Sequence, residues 1–176
     1  FQPYHFVQIN AAINRQLVER VGALLEIDPG DRVLDLFCGL GNFTLALARR
    51  AREVIGVEGD ASLIEWAKSN ASRNKVENAY FEHADLANKL PRECWSQHQY
   101  DKILIDPPRS GALELMPHLA ALGVRRVVYV SCHPATLARD VGELVHRYGF
   151  RLSAAGIVDM FPHTAHVESI AILARG

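Results

Sequence analysis

Cysteine is scarce in this chain. Cys38, Cys94 and Cys132 are the only three in 176 residues, too few and too scattered for a disulfide framework or a metal site. Net charge is nearly absent as well: 19 Lys and Arg against 20 Asp and Glu leave −1, which excludes a global electrostatic pull on nucleic acid or membrane. No apolar run approaches the length of a bilayer span, and no basic-then-apolar stretch reads as an export signal. Internal repeats and low-complexity segments are missing too. What remains is an ordinary globular balance, 49% apolar and 22% charged, in a chain long enough for one domain with a full core. A reducing cytoplasm is the expected home, with neither a membrane nor a protein partner implied. The chain begins at Phe1 rather than Met and reads as one domain, 1–176, of a longer protein.

The pattern that is present alternates strand and helix. An aromatic-rich entry leads through Asn10, a candidate helix cap, into Leu17, Val18, Val21, Leu24 and Leu25, spaced for one buried helical face. Strands are expected at Val33–Phe37, Val54–Val57, Ala79–His83, Tyr100–Ile105 and Val127–Val130, with helices at Phe43–Ala48, Ala61–Arg73 and Ala135–Tyr148 between them. The polar connection from Leu86 to Gln99 carries no assigned chemistry. Phe150–Val158 and His166–Ala174 read as a closing antiparallel pair. This is a doubly wound α/β domain with a mostly parallel sheet, whose ligands belong beyond the carboxyl ends of the strands.

The first strand runs into Cys38-Gly39-Leu40-Gly41-Asn42-Phe43 and then a helix. Glycines at such a turn let the backbone approach a nucleotide-like ligand closely. A dinucleotide fingerprint wants a third small residue where Thr44 stands. Asp35 lies just ahead of the turn, and Glu58 closes the second strand, where a carboxylate can accept hydrogen bonds from both ribose hydroxyls. Carboxylates near the turn favour a positively charged sulfonium ligand over a pyrophosphate. S-adenosylmethionine is therefore preferred to NAD, with a tight turn that binds nothing as the alternative. Asp85, after the third strand, is either a bond partner for an adenine amino group or a cap.

Three further segments stand at strand ends. Asp106-Pro107-Pro108-Arg109 follows the fourth strand, and its prolines fix where Asp106 points. Similar acidic-Pro-Pro loops in methyltransferases of exocyclic amino groups end in an aromatic residue, and Arg109 argues against that chemistry. Ser131-Cys132-His133-Pro134 follows the fifth strand, where the amides at a helix start can lower the pKa of Cys132. Cys38 competes as nucleophile but packs inside the turn. Glu168 lies among apolar residues, so it is either held by a structural partner or kept as a base with a raised pKa.

Taken together, Phe6-Val7-Gln8-Ile9-Asn10, the Asp35 to Phe43 turn, Asp106 to Arg109, Ser131-Cys132 with Pro134 and Thr136, and His166-Val167-Glu168-Ser169 resemble the RNA uracil-C5 methyltransferase family, in order and over nearly the whole chain. Val33 to Gly39, Ala135 to Asp140 and Asp159 to Thr164 carry a finer resemblance to bacterial members acting on 23S ribosomal RNA. The resemblance implies a Rossmann-like class I methyltransferase fold, S-adenosylmethionine as cofactor and RNA as partner, ribosomal before transfer RNA. It makes Cys132 the nucleophile that attacks uracil C6 and Glu168 the base that removes the C5 proton. Asp106 and Gln8 hold the base or assist enolate formation, and Arg139 and His166 support the site. Gln8, Asp35, Phe37 and Asp106 join Gly39, Gly41, Glu58 and Asp85 around the cofactor. No metal is implied. Fuller members carry an amino-terminal RNA-binding barrel and an iron–sulfur cluster; neither is present here, so no cluster and weak RNA binding are expected of this domain alone. His133 departs from the asparagine usual between the family's cysteine and proline. The rivals are cytosine-C5 methylation, disfavoured by the lack of a cysteine after Pro108, and a binding domain without turnover.

Overall fold

The computed structural model of the chain describes residues 11–86, 94–158 and 167–176. Gln8, the Asn10 cap and His166 lie outside them. Helix α1 (Ala11–Leu25) precedes β1 (Arg32–Leu36), α2 (Asn42–Ala48), β2 (Glu53–Glu58), α3 (Ala61–Arg73) and β3 (Ala79–His83). After these come β4 (Lys102–Ile105), α4 (Met116–Ala121), β5 (Arg126–Ser131), α5 (Pro134–Tyr148), β6 (Arg151–Val158) and β7 (Glu168–Ala174). The elements expected from the sequence are present, with ends moved by one or two residues.

The strands form one sheet in the order β3-β2-β1-β4-β5-β7-β6. The first five are parallel, and β7 slots antiparallel between β5 and β6. Alternate side chains of each strand serve opposite layers. Val33, Val54, Leu104, Val128 and Ile170 pack against Leu17, Val21 and Leu25 of α1 and Phe43 and Leu47 of α2. Their neighbours Leu34, Ile55, Ile103, Val127 and Leu173 pack against Met116 and Leu119 of α4 and Leu137, Val141 and Leu144 of α5. Strands buried on both faces account for the nearly unbroken apolar runs in the sequence.

Two features were not legible. The run from Leu113 to Ala121 forms a short 3₁₀ turn and then the six-residue α4, burying Leu115, Met116 and Leu119. The connection before β4 buries Trp95 completely, with Tyr100 donating a hydrogen bond to its carbonyl at 2.9 Å.

The chain crosses the sheet from β1 to β2 and later returns to the other side of β1 as β4. That reversal opens a crevice at the carboxyl ends of β1 and β4, the place where open α/β sheets bind ligands.

Candidate active site

The turn after β1 needs a left-handed backbone at three places: Phe37 (φ 66°), Gly39 (φ 54°) and Gly41 (φ 84°). At Gly41 a Cβ would sit 3.3 Å from the Phe81 ring, whereas at Gly39 it would meet no protein atom within 4 Å. Glu58, at the end of β2, holds the turn from the side: one carboxylate oxygen accepts from the Gly39 amide at 3.0 Å and the other from the Asp60 amide at 3.1 Å. Asn70 of α3 donates to the Leu40 carbonyl at 3.1 Å.

Asp35 is not among the residues that line the cavity: it is buried beneath the turn, where it accepts a 2.5 Å hydrogen bond from the Thr44 hydroxyl. Residues alternate faces along a strand, so a carboxylate in mid-strand points into a layer rather than over the strand end. Its other oxygen has no hydrogen-bond partner among the described residues. Burial raises its pKa from 3.8 to about 7, against the pull of the Thr44 bond and with a contribution from Glu58. Thr44, which breaks the dinucleotide pattern, is thus the partner that fixes Asp35. Cys38 is packed as expected: a Cβ on Gly56 would come within 2.9 Å of its sulfur. Burial, together with the charges of Asp35 and Glu58, pushes its thiol far upward.

A cavity of about 990 Å³ opens over this turn. Phe37, Gly39, Gly41 and Glu58 line one end with Asp85, and Asp106, Arg109, Cys132 and Glu168 line the other. The two groups of expected site residues therefore share one space. The sequence reading missed Asn14 of α1 and Asn42 of α2, whose side-chain amides exchange two 3.0 Å hydrogen bonds at the rim. Short polar residues in helices give no signal by type.

The sheet itself brings Cys132 to Glu168. In the antiparallel β5–β7 ladder Ser131 faces Ser169, and the same register carried one residue further sets Cys132 opposite Glu168. Directly opposed residues of such a ladder present their side chains to one face. Ser169 locks the ladder end by donating to the Ser131 carbonyl at 2.8 Å. Glu168 is 7% exposed, and burial raises its pKa. Asp106, in the loop after β4, is raised to about 8 by burial and by the charges of Glu168 and Asp35.

The expectation of a lowered Cys132 pKa is not met. Burial and the neighbouring Glu168 raise it, with Asp106 adding to the effect, while Arg109 pulls the other way. The reason is positional. Helix α5 starts at Pro134 and His133 is its cap, its ring nitrogen accepting from the Thr136 amide at 3.4 Å, so Cys132 stands outside the first turn. Of the second group, Arg139 bonds to Asp140 and to the Ser110 carbonyl and does not line the cavity.

Known proteins resemble this chain in sequence and in fold. The family model for tRNA (uracil-5-)-methyltransferases matches residues 2–176. The 23S rRNA (uracil(1939)-C(5))-methyltransferase RlmD of Alkalilimnicola ehrlichii is 59% identical over 175 residues, and that of Xanthomonas axonopodis pv. citri is 57% identical. Each match covers 99% of this chain and 39% of the relative, so the chain spans about two-fifths of their length. The Pyrococcus abyssi tRNA (uracil-54, C5)-methyltransferase, solved with S-adenosyl-L-homocysteine, superposes with a TM-score of 0.83 at 36% identity, over 99% of this chain and 41% of that one. Magnesium protoporphyrin IX methyltransferase from Synechocystis, at 20% identity and a TM-score of 0.73, shares the fold. A match from residue 2 to the last residue, over a sheet that superposes on a member's, places the chain in the tRNA (uracil-5-)-methyltransferase family.

Proposed function

We propose that this domain methylates C5 of a uracil in RNA, with 23S ribosomal RNA as the target and S-adenosylmethionine as the methyl source. The shared cavity of Cys132, Glu168 and the glycine turn, with Glu168 near enough to act on the Cys132 thiol, carries this reading. The identity of 59% to a ribosomal enzyme, against 36% to a transfer RNA enzyme, supports the ribosomal target.

The cavity fits a cationic nucleoside. The carboxyl groups of Glu58, Asp85, Asp106 and Glu168 line it, of which Asp106 holds its proton at neutral pH, with Arg109 the one Lys or Arg among the described lining residues. Glu58, fixed by two backbone amides, keeps lone pairs for ribose hydroxyls, and Asp85, in the same lining, is the partner this reading assigns to an adenine amino group. Open space at Gly39 admits the ligand where a side chain would project. When bound, S-adenosylmethionine supplies an electrophilic methyl group.

The chain's own residues supply the rest. Uracil C5 is a weak nucleophile. Cys132, as thiolate, bonds to C6, and the ring electrons move to the C4 oxygen as an enolate, which makes C5 nucleophilic. Asp106, with a pKa of about 8, keeps its proton at neutral pH and can donate a hydrogen bond to that enolate oxygen. After C5 has accepted the methyl group, the Glu168 carboxylate takes the C5 proton; C5=C6 reforms and Cys132 leaves as thiolate. A uracil in folded RNA reaches the site only when flipped from its stack.

Incubation with 5-fluorouracil-containing 23S rRNA and labelled cofactor tests the reading, because fluorine cannot leave as a proton. A labelled protein–RNA adduct is expected, lost in Cys132→Ala. With natural uracil, Glu168→Gln should accumulate the methylated adduct and slow turnover by roughly 10²- to 10⁴-fold. Equal labelling of Cys132→Ala would remove Cys132 from this role. A protein of the relatives' full length, run in parallel, reads how far segments outside this chain deliver the RNA, and transfer RNA as competitor separates the two substrates.

A further inference from the structure

Asp140 lies in the second turn of α5, completely buried, and takes no part in the chemistry above. One of its oxygens accepts from the Tyr129 hydroxyl at 2.6 Å and from the Ala112 amide at 2.7 Å. The other accepts from the Arg139 side chain, at 2.8 Å from Nε and 2.7 Å from Nη2. Arg139 Nη2 also donates to the Ser110 carbonyl at 2.9 Å. A buried carboxylate is costly unless its lone pairs are filled. Here the donors come from three places: the loop after β4, strand β5 and the start of α5.

Those three pieces surround the nucleophile. Tyr129 is three residues before Cys132 in β5, and α5 begins two residues after it. The loop gripped at Ser110 and Ala112 is the one that carries Asp106 and Arg109 into the cavity. A second tie runs from the Thr136 hydroxyl to the Arg109 carbonyl at 3.2 Å. Gly111 shows how closely the loop is held. Its φ is +78°, and a Cβ there would lie 2.5 Å from an Asp140 oxygen and 2.6 Å from Arg139 Nη2.

We propose that Asp140 is a positioning residue for methyl transfer, a buried clamp that fixes the loop bearing Asp106 and Arg109 against the strand and helix that flank Cys132. The assignment rests on the function proposed above. It deepens that function by naming what sets the geometry between nucleophile and loop. The charges acting on Cys132 are Glu168 from β7 and Asp106 and Arg109 from the loop, with His133 beside it in the chain. Releasing the loop moves Arg109, the group that favours the thiolate, while the cofactor turn is held separately, by Glu58 and Asn70.

The test uses Asp140→Asn and the milder Tyr129→Phe, which removes a single hydrogen bond. Three readouts are taken on folded protein: calorimetric S-adenosylhomocysteine affinity, the pH profile of Cys132 alkylation by iodoacetamide followed by mass spectrometry, and the rate of adduct formation with 5-fluorouracil RNA. Affinity within about twofold of the parent, an alkylation profile moved to higher pH and an adduct rate reduced about tenfold or more are expected, with Tyr129→Phe shifted the same way to a smaller extent. Unchanged alkylation and adduct rates in Tyr129→Phe would overturn the proposal, as would a loss that tracks an equal loss of cofactor affinity. Should Asp140→Asn not fold, Tyr129→Phe decides. If the parent forms no adduct with RNA, the function proposed above fails, and the alkylation profile still tests the clamp.

Discussion

Asp106 illustrates how a reactive position and a stable one conflict. Its carboxyl titrates near 3.8 when solvated and near 8 in the fold. Between those values the folded chain holds a proton that the unfolded chain has released, so Asp106 costs nothing below pH 4 and its cost in stability grows as pH rises towards 8. Asp106→Asn removes the loss. Its melting temperature should match the parent near pH 4 and exceed it increasingly up to pH 8, by an amount on the order of a few kcal/mol in stability, while methylation drops. Thermal scans across that range check the sign; a gap that narrows with rising pH would contradict it. At this scale the sequence was legible where chemistry and location coincide. Glu168 among apolar neighbours and Cys132 at a strand end both announced themselves. The burial of Asp35 is not legible because a one-dimensional pattern does not say which layer a strand residue faces, and Asp140 gives no signal because the donors it gathers are far apart in the chain.

The β1 turn and β2 work as a unit. Phe37 and Cys38 both donate their amides to the Val57 carbonyl, at 2.9 and 3.1 Å, which presses the turn onto β2. Gly56 makes room for that contact: a Cβ there would stand 2.9 Å from the Cys38 sulfur and 3.0 Å from the Phe81 ring. Gly56→Ala should cost about 1–3 kcal/mol and weaken S-adenosylhomocysteine binding, because the turn must lift to relieve the overlap. Adding Cys38→Ala should restore part of both, and a denaturation and calorimetry cycle over the four proteins measures the coupling. Additivity in that cycle would mean the two residues do not share the space. Element identities were legible because period and length agree for the longer helices and the buried strands. Helix α4 was not, since six residues are too few to establish a period, and Trp95 sat in a connection whose polar neighbours hid it.

Across the whole molecule the alternation of strand and helix led directly to the layers. The place of β7 was less accessible: the sequence showed an antiparallel pair, but which strand of the pair would join β5 is decided by long-range packing. Ile170, Ala171, Ile172 and Leu173 are all buried in that slot, between two strands that do not otherwise touch. A chain stopped at Val158 should therefore lose its sharp thermal transition as well as adduct formation, and near-UV circular dichroism will register the missing core; a cooperative melt in that shortened chain would show that the slot is dispensable. The insertion also sets a timetable. During synthesis, Cys132, Asp106 and the glycine turn all emerge before the strand that brings Glu168, so a nascent chain still threaded through the ribosome holds the proposed nucleophile without the proposed base. On the proposed chemistry, a chain that has not yet docked β7 could form the C6 adduct and reverse it, but could not resolve a methylated one.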